Sequence, residues 1–312
     1  MNHAATDPLG KLVAWLDPRG RMDLRCLFGQ SWSAPHDTVG PWRAPFHIVL
    51  RGRCELRLPA GRSPLLLDEG TLVVLPRGQA HVLAAAEAQG AATPIRQRPG
   101  ALVDLKTNLR HPARADTDIL CGEFEFPGRR RSVLLDALPD VLVIPFAGRT
   151  EFAWLEGLVR LMAQEVEQQR AGASAIVAQL SGTLFTLAVR AQLEAQPGLG
   201  GVLGLMAAPR LGAALQAMLA QPELPWTVAA LAARCHMSRA TFAREFARRA
   251  GTGPLELLTA LRMERAAHLL AAGGDDTASV GEAVGYRSEA AFNRAFARHA
   301  GVTPGRFRRA QR

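Results

Sequence analysis

The sequence predicts an α+β chain of two domains, with an antiparallel β-barrel in front and an all-α domain behind. Three observations carry this. Up to Pro145, short apolar runs (FHIVLRG, CELRLPAG, SPLLLDEG, TLVVLPRG, AHVLAA, DILCGEFEF) alternate with Gly/Pro turns about every ten residues, the spacing of a barrel or sandwich. After Pro145 the apolar residues recur at three- and four-residue steps, the helical spacing. Finally, one 17-residue pattern occurs twice near the C-terminus, at 238–254 and 288–304. A length of 312 residues agrees with two domains at ~150 residues each.

Taken in order, LGKLVAWL (9–16) reads as a short helix. The β-rich runs follow, interrupted by residues 85–117, an Ala/Gln/Pro/Arg-rich stretch without periodicity that reads as a long mobile loop. FAWLEGLVRLMAQEVEQQR (152–170) and SAIVAQLSGTLFTLAVRAQLEA (174–195) are amphipathic helices, suited either to making a homodimer or to covering the barrel. QPGLGGVLG (196–204) reads as a Gly-rich linker. Helices follow at 209–220, at 226–235 with Thr227 as N-cap, and at 238–251, closed by Gly251. A long helix over 253–274 has Pro254 in its first turn and Gly273 at its end; the last two helical segments are 277–286 and 288–301. The predicted domains are a sensor at 1–150, helices at 151–196, a linker at 197–208 and a helical domain at 209–312.

Charge separates the two ends. The chain carries 37 Lys+Arg against 28 Asp+Glu, and only Lys11 and Lys106 are lysines. Residues 209–312 hold 15 Arg and 8 acidic residues, a net of +7, which leaves +2 for residues 1–208. A near-neutral front and an Arg-rich rear point to a polyanionic partner for the rear. Four scattered cysteines exclude a secreted disulfide scaffold. With no run of ~18 uninterrupted apolar residues and no signal-peptide pattern at the N-terminus, a cytoplasmic chain with reduced thiols is expected.

The repeat carries the function. SRATFAREFARRAGTGP and SEAAFNRAFARHAGVTP share S-x-A-x-F-x-R-x-F-A-R-x-A-G-x-x-P, 50 residues apart, each preceded by a short helix and a tight turn. That is a doubled helix-turn-helix. Phe242/Phe246 and Phe292/Phe296 at i, i+4 face the core, whereas Arg239, Ala240, Ala243, Arg244 and Glu289, Ala290, Asn293, Arg294 lie on the other face. Small Ala beside Arg lets a helix approach base edges while the guanidinium reads guanine. Two such helices joined by the 253–274 helix could enter successive major-groove segments ~34 Å apart.

Here the sequence resembles the AraC/XylS-type bacterial transcription regulators. The matching residues are LAARCHMSRATFAREF, LRMERAAHLL and VGYRSEAAFNRAFARHAGVTPGRFRR. The resemblance implies base contacts from Arg239, Ala240, Ala243 and Arg244, with Asn293 and Arg294 from the second copy and Arg306, Arg308 and Arg309 nearer phosphate. LLLDEGTLVVLPRGQAHVL (65–83) resembles the D-x-G-x-x-x-x-x-P-x-G-x-x-H segment of cupins. DPLGKLVAWLDPRGRMDLRC and ILCGEFEF fit the cupin subgroup that precedes AraC-type domains, especially in reactive-chlorine-responsive regulators. The cupin metal motif H-x-H…E is absent, and 85–117 is longer than in those relatives.

At positions matching that subgroup stand Cys26, His47, His81 and Cys121. Two thiolates and two imidazoles would suit tetrahedral Zn²⁺. The same cysteines could instead form a disulfide on oxidation, since oxidants act on accessible, low-pKa thiolates, which a nearby imidazolium or metal would provide. Cys54 and Cys235 read as packed residues, and His36 as a spare polar candidate. The expectation is a one-component DNA-binding regulator that senses an oxidant through Cys26 and Cys121, binds promoter DNA and recruits RNA polymerase. The alternatives are the same regulator with a small organic ligand in the barrel, or a cupin-type metalloenzyme, against which the missing metal motif argues.

Overall fold

In a computed structural model, the structure describes residues 7–40, 42–59, 61–87, 90–126, 132–196, 198–273 and 276–310. Helix α1 (Pro8–Leu16) opens the chain; Asp7 accepts a hydrogen bond from the Gly10 amide and Pro8 occupies the first turn. Eleven strands follow among the described residues: β1 (Arg19–Phe28), β2 (Ser33–His36), β3 (Arg43–Arg51), β4 (Arg53–Arg57), β5 (Leu65–Asp68), β6 (Thr71–Val74), β7 (His81–Ala85), β8 (Arg96–Arg98), β9 (Asp104–Thr107), β10 (Thr117–Glu125) and, after helix α2 (Val133–Ala137), β11 (Leu142–Pro145). The remaining helices are α3 (Ala153–Gln168), α4 (Ala173–Ala195), α5 (Gly201–Met206), α6 (Gly212–Ala220), α7 (Val228–Arg234), α8 (Arg239–Ala250), α9 (Pro254–Ala272), α10 (Thr277–Ala283), α11 (Glu289–Ala300) and α12 (Pro304–Ala310).

The chain divides into two compact units. A β-rich unit holds residues 19–125 and 139–192, and a helical unit holds 1–18, 126–138 and 193–312. In the β-rich unit the strands form two sheets rather than one closed barrel: β11-β6-β3-β10-β1-β9-β8 and β2-β7-β4-β5. Their inner faces share one core that includes Val49, Val73, Ile119, Cys26 and Cys121 from the larger sheet and Ala34, Cys54, Leu56, Leu67 and Leu83 from the smaller. The outer face of the larger sheet is apolar too, because α4 covers it. Phe46 stacks on Phe124, Phe124 meets Phe185 of α4 edge-on, and Gly20 leaves no room for a side chain beside Ser181. Burial on both faces explains why β3 and β6 read as continuous apolar runs without alternation. By length and composition alone α4 is apolar enough to cross a membrane, but its Val177, Leu184, Phe185, Ala188 and Val189 are buried in the protein.

Two expectations need correcting. Residues 85–117 are not one loop: β9 pairs in parallel with β1 along Leu24–Leu27, and β8 pairs with β9 at the sheet edge (residues 88 and 89 lie outside the described ones). The edge of β1 offers unpaired backbone groups that a neighbouring segment satisfies whatever its local propensity, and the all-exposed β8, with Arg96 and Arg98, ends the sheet on charge. Within 196–204, where a linker was expected, Gly201 begins α5, whose Val202, Leu203 and Leu205 are buried; residue 197 lies outside the described ones.

In the helical unit the predicted N-cap Thr227 has its partner, and Ser238, which the sequence reading did not name as a cap, starts α8 in the same way. Thr227 accepts from the Ala230 amide, and Ser238 accepts from the Thr241 amide. Gly251 and Gly301 close α8 and α11 at φ 69° and 71°, the left-handed conformation that a β-carbon disfavours. The two halves also repeat in their cores. Phe242 and Phe246 are fully buried with ring centroids 5.4 Å apart, and Phe292 and Phe296 are fully buried at 5.7 Å. The long helix α9 contacts α8, α10, α11 and α12 and so joins the halves. Segments from the front of the sequence complete this unit: Lys11 of α1 donates to the Leu219 carbonyl, and buried Glu264 of α9 accepts from the Val133 amide that starts α2.

Candidate nucleic-acid interface and sensor centre

Helices α8 and α11 each bury a phenylalanine pair and leave the opposite face outward. Arg239, Ala240 and Arg244 are exposed, with 70% of the Arg244 side chain open to solvent, and Ala243 is half-buried beside them. In the second copy Arg294 is exposed and Asn293 half-buried; the Asn293 side-chain oxygen is buried without a hydrogen-bond partner. Other arginines of the unit are internal ties. Arg262 donates to the Pro222 and Leu224 carbonyls, Arg265 pairs with Glu223 at 2.7 Å, and Arg210 donates to the His236 carbonyl. The predicted phosphate-side residues Arg306, Arg308 and Arg309 lie on α12, a helix that the sequence reading did not separate and that Phe307 anchors in the second core.

The second candidate centre lies between the sheets of the β-rich unit. Cys121 of β10 pairs in register with His47 of β3 on one side and Leu24 of β1 on the other, so His47, Cys121 and Leu24 share the inner face. Cys26 stands two residues along β1 on that same face, and the Cys26 and Cys121 Sγ atoms are 3.8 Å apart, both as free thiols. Across the core, His36 of β2 and His81 of β7 are register partners in the smaller sheet. The Nε2 atoms of His47 and His81 are 2.7 Å apart, and His81 Nδ1 bonds to the Gln79 carbonyl. Of the four residues singled out from sequence, the structure thus brings the cysteines to each other and the two histidines to each other. His36, given little weight from sequence, joins the histidines: its ring stacks on His81 at 4.7 Å and lies 4.9 Å from His47. A metal-ligating alternation would have revealed it only with the β2–β7 register in hand.

Burial sets the protonation of these groups. His36 is pushed down to about 3 by burial, helped by His81 and Lys106. His47 is held well below its ordinary value by burial and by neighbouring His36 and His81, and burial lowers His81. All three are neutral at pH 7. The Cys121 thiol is raised well above its ordinary value, first by its hydrogen bond with Cys26 and then by burial; burial likewise pushes Cys54 up to about 12. The expected imidazolium that would lower a thiol pKa is therefore missing: an imidazole buried among others sheds its proton rather than its hydration. A cavity of about 180 Å³ reaches this centre, lined by His36, His47 and Cys121 and by Asp23, Asp37 and Glu123. It forms beside the register shift between Met22 and Leu24 of β1, where Asp23 stands unpaired opposite β10. Cys235 is buried at the end of α7 and takes no part.

Comparison with known proteins agrees with both halves. Residues 7–194 match the Cupin family and residues 231–310 the Helix-turn-helix domain family. The chain is 33% identical over 303 residues to the RCS-specific HTH-type transcriptional activator RclR of Escherichia coli K12, covering 97% of each chain. It is 30% identical over 307 residues to the HTH-type transcriptional regulator MtrA of Neisseria gonorrhoeae, covering 97% of this chain and 98% of that one. An HTH-type transcriptional regulator of Haemophilus influenzae is 29% identical over 97% of this chain and 98% of its own. All three relatives are transcription regulators by name. With a cupin domain in front, a doubled helix-turn-helix behind and relatives of this kind along nearly its whole length, the chain belongs to the AraC family of DNA-binding transcription regulators.

Proposed function

We propose that this regulator senses a reactive chlorine oxidant through Cys26 and Cys121 and passes the change to a promoter-binding face formed by α8 and α11. The observation that carries the reading is the buried Sγ–Sγ contact of 3.8 Å on two adjacent strands. The reactive-chlorine specificity in the name of the E. coli relative supports the choice of oxidant.

Cys121 borders the cavity and is the first to react. Hypochlorous acid, small and uncharged at the sulfur, converts its S–H to S–Cl with release of water. The Cys26 sulfur then displaces chloride, its proton leaving as HCl, so that two thiols lose two electrons and one hypochlorous acid is reduced. Bond formation closes the sulfurs from 3.8 Å to ~2.05 Å. The strands that move are the ones that continue into the helical unit. β1 is preceded by Pro18 and α1, β10 is followed by Phe126 and α2, and Arg19 and Glu125 at those ends are register partners. A shift between β1 and β10 reaches α1 and α2 through the chain itself and changes the population competent for DNA.

On the DNA, Arg239 and Arg244 with Ala240 and Ala243 read one major-groove segment and Asn293 and Arg294 the next, while Arg306, Arg308 and Arg309 meet phosphate. RNA polymerase recruitment, a homodimer built on α3 and α4 and a cytoplasmic location complete the proposal. The cavity of about 180 Å³ beside Cys121 is smaller than the ~300–1,000 Å³ of small-molecule sites, which weighs against an organic inducer bound at this centre. The test is binding to an operator selected from random duplexes, with reduced and hypochlorite-treated protein. Wild type is expected to change affinity on treatment, and Cys26→Ser and Cys121→Ser to stay fixed; a response that survives both substitutions overturns the reading.

A further inference from the structure

We infer that a second cavity of the β-rich unit, walled by Trp32, Glu87, Asp116 and Thr117, is a binding site for a small organic cation. The ligand class is an amine or quaternary ammonium that also carries an oxygen acceptor. This goes beyond the redox reading and does not depend on it.

The site stands apart from the thiols and histidines. β7 runs from His81, in the histidine cluster, to Ala85, which borders this cavity, a span of ~13 Å along the strand. The other walls come from the same end of the sheets. Gln30 and Trp32 follow β1, Gly52 lies in the β3–β4 turn, and Thr117 opens β10. The volume is about 430 Å³, within the ~300–1,000 Å³ of small-molecule sites.

The rim is held by the backbone. Gly52 turns at φ 80°, and a β-carbon there would run into the Asp116 carbonyl, so the β3–β4 turn and the approach to β10 touch directly. Gln30 keeps a left-handed backbone at φ 58°, a conformation that persists where neighbouring contacts enforce it. Here the Gly29 amide donates to the Asn108 side chain at 3.1 Å, and the Asp116 amide to the Phe28 carbonyl at 2.9 Å.

Charge selects a cation. Glu87 and Asp116 are acidic, whereas Arg53, the guanidinium in the lining, is held by Asp68 at 2.6 Å. The Asp116 carboxylate accepts a long bond of 3.4 Å from the Gln30 amide, which leaves it capacity for an ammonium. Polar groups on buried residues supply the oxygen contact. Trp32 is 2% exposed and Thr117 5%, yet both line the cavity. Among the described residues neither the Trp32 indole N–H nor the Thr117 hydroxyl has a hydrogen-bond partner. An indole N–H withdrawn from bulk water gains from an acceptor, and a ligand oxygen provides one.

Occupancy also reaches the strand pair that carries the sulfurs. Trp32 stacks on Phe28 with ring centroids 4.3 Å apart, and both share one core with Cys26 and Cys121. Phe28 and Thr117 are the register partners that end the β1–β10 pair.

The experiment is calorimetric titration of reduced full-length protein with choline, ethanolamine, tetramethylammonium and the uncharged carbon isostere of choline. Choline and ethanolamine are expected to bind once per chain, and the isostere at least ~10-fold more weakly than choline. Asp116→Asn should weaken choline by ~10–100-fold, the range for a hydrogen bond to a charged group, with Glu87→Gln shifting it the same way. Trp32→Phe should weaken choline but not tetramethylammonium, which lacks the oxygen. Cys26→Ser/Cys121→Ser should leave binding intact, which separates this site from the redox reading. No binding of either amine, equal binding of the isostere, or unchanged affinity in Asp116→Asn overturns the site. The isostere comparison in wild type decides charge selection even if a variant fails to fold.

Discussion

The two units use polar residues in opposite ways. In the β-rich unit the groups that carry chemistry are buried: His47 and His81 at 2% exposure, Cys26 at 2% and Cys121 at 3%. In the helical unit they stand outward, as Arg239, Arg244 and Arg294 do, on helices whose other face is locked by paired phenylalanines. A DNA reader must show its charges to a polyanion, whereas a sensor for a small reagent can surround its reactive atoms and admit the reagent through a cavity. Burial also silences charge: the histidines are neutral and the Cys121 thiol is raised, whereas exposed arginines keep theirs.

Predictions that break this contrast begin with the scaffold. Phe292→Ala empties a fully buried site between α10, α11 and α12 and should cost ~3–5 kcal/mol in chemical denaturation of the helical unit. Arg244→Ala, on the exposed face, should leave that stability unchanged yet cost ~1–3 kcal/mol of operator affinity and relax base choice at one position. Equal losses on operator and random DNA would show it to be a phosphate contact. Ser238→Ala removes the cap on the Thr241 amide at the start of α8 and should lower thermal stability by ~1 kcal/mol. Ser288→Ala, at the matching position without a side-chain cap bond, should cost less, which a paired melt of the two variants checks. The smallest effect is kinetic: because Cys26 and burial hold the Cys121 thiol up, disulfide formation by a slow oxidant should keep accelerating as pH rises through 9, the ordinary thiol value, rather than levelling off there. A plateau below that value would mean an exposed, activated thiolate.

The same contrast explains what could be read in the sequence. The helical unit was legible because its signals are local: Thr227, Gly251 and Gly273 cap helices within a few residues of themselves, and the repeat puts its phenylalanines four apart. Even there, Arg262, Arg265 and Arg210 were indistinguishable by charge from the outward-facing arginines, because their partners lie 40, 42 and 26 residues away. The cysteine and histidine cluster joins residues from five strands, and its register is a tertiary property. His47, His81 and the two cysteines were found by resemblance. His36 gained its place only through pairing with His81, and β9 only through the free edge of β1.

The central claim is that closing one buried sulfur pair controls an exposed reading face. Peptide mapping of hypochlorite-treated full-length protein, taken in parallel with operator affinity, tests it most directly. A Cys26–Cys121 disulfide is expected to form in step with the change in affinity, both reversed by a thiol reductant. A full change in affinity while Cys26 remains a thiol would contradict it.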